Sequence, residues 1–242
     1  MSVSVGIPTA PASSSPSAAI PRLHAGDRLT AAEFLRRYEA MPEVNNAELI
    51  EGVVYIMSSP VTHTDHGRPH LTFNTWMGLY LYKTPVVDGG DNSTLQFDVD
   101  NVPQPDGFLR VREEFGGQSR IVGRYIVGGP ECIAEISASS VSYDLHDKLN
   151  AYRRNGVQEY VVWRVLDQAI DWFVLHEGRY DRLPLDAEGI YRSRVLPGLW
   201  LDPAAMIAGN FDRVLEVIQQ GVASPAHQEF VARLQGQARE SK

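Results

Sequence analysis

Two carboxylates and one amine stand out for the chemistry they would do together. Asp106 follows Gln104-Pro105 at the start of one strand-like run, Glu135 lies inside a later run, and Lys148 comes 13 residues after Glu135. Carboxylate oxygens suit Mg2+ or Mn2+, ions that keep several coordination positions for water and phosphate. Such an ion acidifies water and neutralises charge on a transferring phosphate, while an ammonium orients the nucleophile or stabilises developing charge. Two carboxylates plus an amine is therefore a set for hydrolysing phosphodiesters, provided the two strands are neighbours and the lysine packs over them. Lysine is scarce, with only Lys83, Lys148 and Lys242, so few other amines could serve. Each residue also has a plain structural role open to it: a turn for an Asp after Pro, a strand position for Glu135, an i,i+4 ion pair for Asp144 with Lys148.

His63, His66 and His70 lie in or before a long helical run, and His66 and His70 stand at i,i+4, a spacing that can hold a metal. With no third ligand evident beside them, the pair is taken as titrating histidines and zinc is not expected. Gly89-Gly90-Asp91-Asn92 lacks the Lys-Ser/Thr of a phosphate loop and is expected to be a turn, with Asp91 able to approach a metal from the adjoining strand.

The elements that must position these groups are legible in outline. Thr30-Ala31-Ala32-Glu33 has the form of a capping box and predicts a helix to about Ala40. Alternation about Glu51-Gly52 predicts a hairpin over Ala47 to Met57, with Glu48 near its start. Leu71, Trp76, Leu79 and Tyr80 predict a helix from about Thr64 to Tyr82. Runs at Thr94 to Asp100 and Asp106 to Val111, split by two prolines, are expected to pair as a hairpin with a stiff connection. Glu131 to Ser137 predicts a strand in which Cys132, Ala134 and Ile136 face one way and Ile133, Glu135 and Ser137 the other. A helix over Tyr143 to Asn155, stopped by Gly156, precedes strands at Glu159 to Val165 and Ile170 to Leu175. A further strand is expected from Gly178 to about Val195, then helices near Phe211 to Gln220 and Ala226 to Arg239. Strands interleaved with helices give an α/β fold with a central mixed β-sheet flanked by helices.

Composition narrows the setting. The 242 residues carry 22 Lys+Arg against 30 Asp+Glu, a formal charge of −8, and 43% hydrophobic residues. That balance argues against a protein that coats nucleic acid, whose affinity comes from neutralised phosphates, but leaves room for a local basic channel. Arg110, Arg112, Arg120, Arg124, Arg153 and Arg154 are the candidates for a phosphate-binding rim near Asp106. One cysteine, Cys132, excludes a disulfide framework and makes the cytoplasm the expected compartment. No apolar run is long enough to span a membrane.

Taken in order, Glu48-Leu49-Ile50-Glu51-Gly52, Gln104-Pro105-Asp106, Glu135-Ile136-Ser137, then Asp144, Lys148, Tyr152, Gly156-Val157 and Glu159-Tyr160 resemble the Uma-type restriction endonuclease family, a branch of the PD-(D/E)XK nuclease superfamily. The likeness runs from about Thr30 to Leu201. It implies a restriction-endonuclease-like fold with a divalent-metal site at the opened edge of the sheet. In that resemblance Asp106 matches the PD aspartate and Glu135 the acidic residue of the (D/E)XK element, while Ser137 stands where lysine is expected and Lys148 supplies the amine from the next helix. Glu48 matches an acidic residue completing the metal site, so the implied ligands are Asp106, Glu135 and Glu48, for Mg2+ or Mn2+. His66 and Tyr152 match positions that would contact substrate. Gly107 departs from the family, where a bulkier residue is common, as does Val161-Val162-Trp163-Arg164 after Glu159-Tyr160.

The implied organisation is a Ser/Pro/Ala-rich tail over 1–25 expected to be disordered, a nuclease-like domain over 26–220, and an appended C-terminal helix over 221–242. Two function classes stay open: a metal-dependent endonuclease cutting DNA, or a nuclease-fold module that binds DNA or a partner protein without cutting. An RNA or small-molecule phosphodiesterase would share the metal site. Cutting both strands would suit a homodimer, with the C-terminal helix as one interface. Lys148→Ala is expected to fold normally, as a site-facing lysine contributes little to stability.

Overall fold

A computed structural model describes residues 19–57, 62–138 and 140–240. Thr30 accepts a hydrogen bond from the Glu33 amide and so caps helix α1 (Ala31–Glu39), the start its capping box predicts. Strands β1 (Ala47–Ile50) and β2 (Val53–Ile56) pair antiparallel. Their turn holds Glu51 and Gly52 at φ of 52° and 73°, the left-handed pair that a tight two-residue hairpin needs. A wide π-type turn at His63–Gly67 opens helix α2 (Arg68–Lys83). Six strands follow: β3 (Val87–Gly90), β4 (Leu95–Gln96), β5 (Gly107–Val111), β6 (Arg120–Val122), β7 (Tyr125–Val127) and β8 (Cys132–Ser137). Helix α3 (Val141–Tyr143), a second π-type turn at Asp144–Lys148 and helix α4 (Leu149–Arg154) then cross to β9 (Glu159–Arg164). The chain ends with β10 (Ala169–His176), β11 (Arg179–Arg182), β12 (Tyr191–Arg192), β13 (Trp200–Leu201) and helices α5 (Pro203–Ile207), α6 (Phe211–Ala223) and α7 (Pro225–Glu240).

Six strands form the central sheet in the order β11-β10-β9-β8-β5-β3. Only β8 and β9 run parallel, and α3 and α4 make the crossover that a parallel pair requires. The sheet is therefore mixed, with helices packed on it, as the alternating elements predict. Cys132, Ala134 and Ile136 of β8 enter a core shared with α2, α5, α6 and α7, while Ile133 enters a second core with Tyr152, Val157 and Tyr160. Glu135 follows the parity of Ile133, the face the period-2 reading assigns it. A third cluster joins α1, β1 and β2 with Val102.

Several expectations change. The runs at 94–100 and 106–111 do not pair with each other: β4 joins β7 in a small sheet, while β5 lies between β3 and β8. Pro103 and Pro105 cannot donate to a ladder, and their segment is tied to the first hairpin instead, by the Val102–Leu49 bridge and by Asn101 Oδ1 accepting from the Glu51 amide at 2.9 Å. Gly89-Gly90 is part of edge strand β3, where a Cβ on Gly89 would lie 2.5 Å from the Phe108 carbonyl. Leu71 is 69% exposed, and the buried face of α2 is Phe73, Trp76, Met77 and Tyr80. The strand expected up to Val195 is split into β11 and β12 by a turn in which Asp186 accepts from the Glu188 and Ile190 amides.

At the N-terminus, the tail expected over 1–25 lies mostly outside the described residues. Within them Leu23 is buried in the cluster of α1 and Met41. At the other end α7 is packed, not merely appended: Phe230 and Leu234 enter the main core, and buried His227 meets Thr84 Oγ1 at 2.9 Å. No helix among the described residues is long and apolar enough to cross a membrane.

Candidate active site

The antiparallel ladder of β5 and β8 sets Gly107 against Ala134, so the next step outward brings Asp106 beside Glu135. The Ile136 amide donates to Asp106 Oδ2 at 2.7 Å, which fixes the carboxylate across the two strands. The crossover then folds back over the end of β8 and delivers Lys148. Its ammonium lies 3.0 Å from Glu135 Oε1, 3.0 Å from Glu48 Oε1 and 3.8 Å from Asp144 Oδ1. Lys148, Glu135 and Glu48 are 4%, 3% and 1% exposed, so these charges interact with little screening. The sequence-predicted Asp106, Glu135, Lys148 and Glu48 thus converge on one place.

Each carboxylate has its own set of partners. Glu48 Oε1 also accepts from the Gln104 amide at 2.7 Å, and Oε2 lies 3.4 Å from the Tyr143 hydroxyl that donates to it. Both Glu48 oxygens are thereby engaged, which fits a counter-charge for Lys148 better than the metal ligand expected. Glu135 Oε1 accepts from Lys148 and, at 2.6 Å, from the Tyr152 hydroxyl. No donor among the described residues reaches Glu135 Oε2. Tyr152 is fully buried between Phe97 and Tyr160 and spends its hydroxyl on Glu135. It is a positioning group in place of the substrate contact expected. Asp144 Oδ2 accepts from Ser140 Oγ at 2.6 Å.

Burial raises the pKa of Glu135 well above the carboxylate range; the Lys148 ammonium opposes that, and the nearby charge of Asp106 adds to it. Glu48 is raised as well, again by burial and against the pull of Lys148. Burial works to lower the Lys148 pKa, but Glu135, Glu48, Asp144 and Asp106 together outweigh it and hold the amine well above its usual value. Lys148 therefore keeps its proton at neutral pH. Three carboxylates lie within 3.8 Å of the one ammonium and Asp106 stands near, an excess of acidic groups that a cation beside Asp106 would offset.

Asp106 Oδ1 faces a group that the sequence reading left unassembled. His66 Nε2 and His70 Nε2 lie 3.4 Å and 3.9 Å from it, and the two imidazoles stack at 5.3 Å between ring centres. The residue taken as a substrate contact, His66, is thus beside the carboxylate itself. Asn74, one turn beyond His70, donates to the Asp106 carbonyl at 3.1 Å. The i, i+4, i+8 spacing of His66, His70 and Asn74 was visible as a stripe on one helix face; what it faced was not.

The expected arginine rim does not assemble beside Asp106. Arg110 is buried and donates to Ser119 and Asp88. Arg112 pairs with Glu114, Arg154 with Glu51, and Arg153 donates to the Gly178 carbonyl. Arg120 and Arg124 belong to the small sheet of β6 and β7, with Arg124 over the Tyr125 ring. Each of these arginines follows its local sheet or loop, and a linear sequence carries little signal for that choice.

Comparison with known proteins gives the family. The profile of the Uma2 family, described as "Putative restriction endonuclease", matches residues 31–204. A search of curated proteins returns no match. Among solved structures, a crystal structure of a "putative nuclease" from Anabaena variabilis is similar with a TM-score of 0.49 and 12% identity, covering 72% of this chain and 98% of that one. The family profile spans every residue of the carboxylate and lysine cluster and all six strands of the central sheet, and the chain belongs to the Uma2 family of restriction-endonuclease-like proteins.

Proposed function

We propose that this protein is an endonuclease that hydrolyses DNA phosphodiester bonds with the help of Mg2+ or Mn2+. The observation that carries this reading is the convergence of Asp106, Glu135 and Lys148 where β5 begins beside β8, with the excess of acidic groups described above. The family description supports DNA as the substrate class. Asp106 Oδ1, which faces the two histidines, and Glu135 Oε2, which no donor among the described residues reaches, would hold the ion. A divalent ion there supplies Lewis acidity, neutralising charge on the phosphate and acidifying water.

The chain's own groups divide the remaining work. Lys148 stays protonated, so it acts as a fixed positive charge and hydrogen-bond donor, not as a general base. Glu48 and Asp144 hold that ammonium in place. Tyr152 fixes the rotamer of Glu135, and the Ile136 amide fixes Asp106. The committed arginines and the charge of −8 favour one second reading, a module of this fold that does not cut.

Cleavage of supercoiled, linear, single-stranded and RNA substrates in Mn2+ or EDTA separates the two. The expected outcome is Mn2+-dependent cutting of DNA, abolished by EDTA and reduced at least about 100-fold in Asp106→Asn and Glu135→Gln. Wild-type protein that binds Mn2+ but cuts none of the substrates would leave the non-cutting module as the function.

A further inference from the structure

From the geometry around Asp106 we infer that His66 and His70 are nitrogen ligands to the ion at this site, and that they select a transition-metal ion, Mn2+ or a later member of the series, over Mg2+. The inference rests on the reading of Asp106 as a metal-holding carboxylate and adds the two imidazoles to it.

Three independent features of the cluster point the same way. The first is distance. His66, His70 and Asp106 each offer a donor atom, and these atoms lie within 4.8 Å of one another. An ion about 2.1 Å from each of its donors in tetrahedral geometry separates them by about 3.4 Å. His66 Nε2 and Asp106 Oδ1 already stand at 3.4 Å, and His70 Nε2 at 3.9 Å from the same oxygen. A small side-chain rotation of His70 closes the set.

The second is the tautomer of His66. Its Nδ1 lies 3.3 Å from the Ile136 carbonyl, which can only accept, so Nδ1 carries the proton. Nε2 is then the ring nitrogen turned toward Asp106 Oδ1, the atom placed to share an ion with that carboxylate. Donation of one ring N–H to a backbone carbonyl is also the usual way a ligating histidine is oriented.

The third is the set of groups around His70. Its Nε2 is 3.0 Å from the Asp106 carbonyl and 3.0 Å and 3.5 Å from the amide nitrogens of Asn74 and Asn92. Two donors turned toward this nitrogen suit an Nε2 that carries a lone pair. Binding an ion through Nε2 gives the lone pair a partner and releases the Asn74 amide to the Asp106 carbonyl it already reaches at 3.1 Å. Imidazole is a preferred ligand of transition ions, whereas Mg2+ favours oxygen and water. Two imidazoles beside one carboxylate therefore tune the site away from Mg2+.

The test uses the metals alone. Titration calorimetry with Mn2+ and with Mg2+ is run on wild type, His66→Ala, His70→Ala, Asp106→Asn and Glu135→Gln, with thermal melts confirming that each variant is folded. Pulsed electron paramagnetic resonance of the wild-type Mn2+ complex reads nitrogen coordination directly, without relying on any variant. Expected are nitrogen modulation from imidazole in the wild type, a loss of Mn2+ affinity of at least about 10-fold in either histidine variant, and Mg2+ affinity changed by less than about 3-fold. Mn2+ bound without nitrogen modulation, or with wild-type affinity in both histidine variants, overturns the inference. If in that case Asp106→Asn and Glu135→Gln still abolish binding, the ion sits on the two carboxylates and the proposed nuclease reading survives. Nitrogen-ligated Mn2+ in a protein that cuts nothing would uphold the histidine ligands and remove the nuclease reading instead.

Discussion

Lys148 sits among more negative charge than it can neutralise, and that imbalance sets the behaviour of single residues here. The expectation that Lys148→Ala folds normally does not survive its burial. Its loss leaves Glu48, Glu135 and Asp144 buried with no counter-charge, a cost of about 3–5 kcal/mol. Glu135→Gln works in the opposite direction. The folded-state pKa of Glu135 is raised well above the ordinary carboxylate range, so the native state binds its proton more tightly than the unfolded chain does. Stability from that proton is full below the unfolded pKa and is lost as pH rises through the folded one. Of the groups facing Glu135, the Lys148 ammonium and the Tyr152 hydroxyl that donates to it favour the ionised form, while Asp106, Asp144 and Glu48 oppose it and burial outweighs the two donors. Melting in EDTA at pH 8 should therefore place Glu135→Gln above wild type. The gap should close toward pH 4.5, and Lys148→Ala should melt below wild type by about 10 °C. A Glu135→Gln protein that melts lower at pH 8 would mean that its bond to Lys148 outweighs the burial of its charge. Asp106, Glu135, Lys148 and Glu48 were legible as candidates because residue type and order along the chain carry the motif. Which oxygen each spends on which donor was not, since that depends on contacts between residues 56 to 95 positions apart, such as Gln104 or Tyr143 with Glu48.

Two of the elements that build the site depart from regular geometry where they touch it. His66 and the Asp144–Lys148 pair both lie in π-type turns, wide turns that recur at functional sites. Strand β8 and the α3–α4 crossover were legible because alternation and a glycine stop, Gly156 at φ 72°, are local signals. The pairing of β4 was not, because strand partners are chosen by distant packing. Leu71 misled for a related reason: apolar residues recur on α2 around more than one face, and the sheet decides which is covered. Gly107, the departure from the family pattern, has a cause at this scale. A Cβ there would fall 2.7 Å from Asn74 Oδ1 and 3.0 Å from Met77 Sδ, because α2 packs closely over the start of β5. Gly107→Ala should cost about 1–3 kcal/mol by overpacking and should push Asn74 off the Asp106 carbonyl. Adding Asn74→Ala removes the nearer obstacle, so the double variant should melt higher than Gly107→Ala alone. Melting curves of the four proteins check this, and a Gly107→Ala protein as stable as wild type would show that α2 yields without cost.

Across the whole molecule, charge is arranged to hold the fold more than to attract a polyanion. Helices α5 to α7 and α2 cover the sheet face opposite Glu135, with Phe230 and Leu234 of α7 completing the core, so the last helix acts in stability before it can act as any interface. Arginines are spent in the same way: Arg110 inside, Arg164 and Arg182 on Asp171, Arg213 on Asp202 and Glu216. With −8 formal charge overall, few cations remain to replace counterions along a duplex. Affinity for DNA without metal should therefore be weak, with Kd no tighter than about 10⁻⁶ M near physiological salt. The dependence of log K on log salt should be shallow, corresponding to fewer than about four neutralised phosphates, where a protein with 6–10 phosphate contacts loses about 10³–10⁵ in affinity between 50 and 200 mM. Fluorescence anisotropy of a labelled duplex in EDTA across that salt range measures both quantities. An ion held at Asp106, as proposed, would also lower the local negative charge enough for a phosphate to approach, so adding Mn2+ to the Lys148→Ala protein below its melting temperature should tighten DNA binding several-fold. Nanomolar binding in EDTA with a steep salt slope would instead require that the ion-paired arginines release their carboxylates to meet DNA.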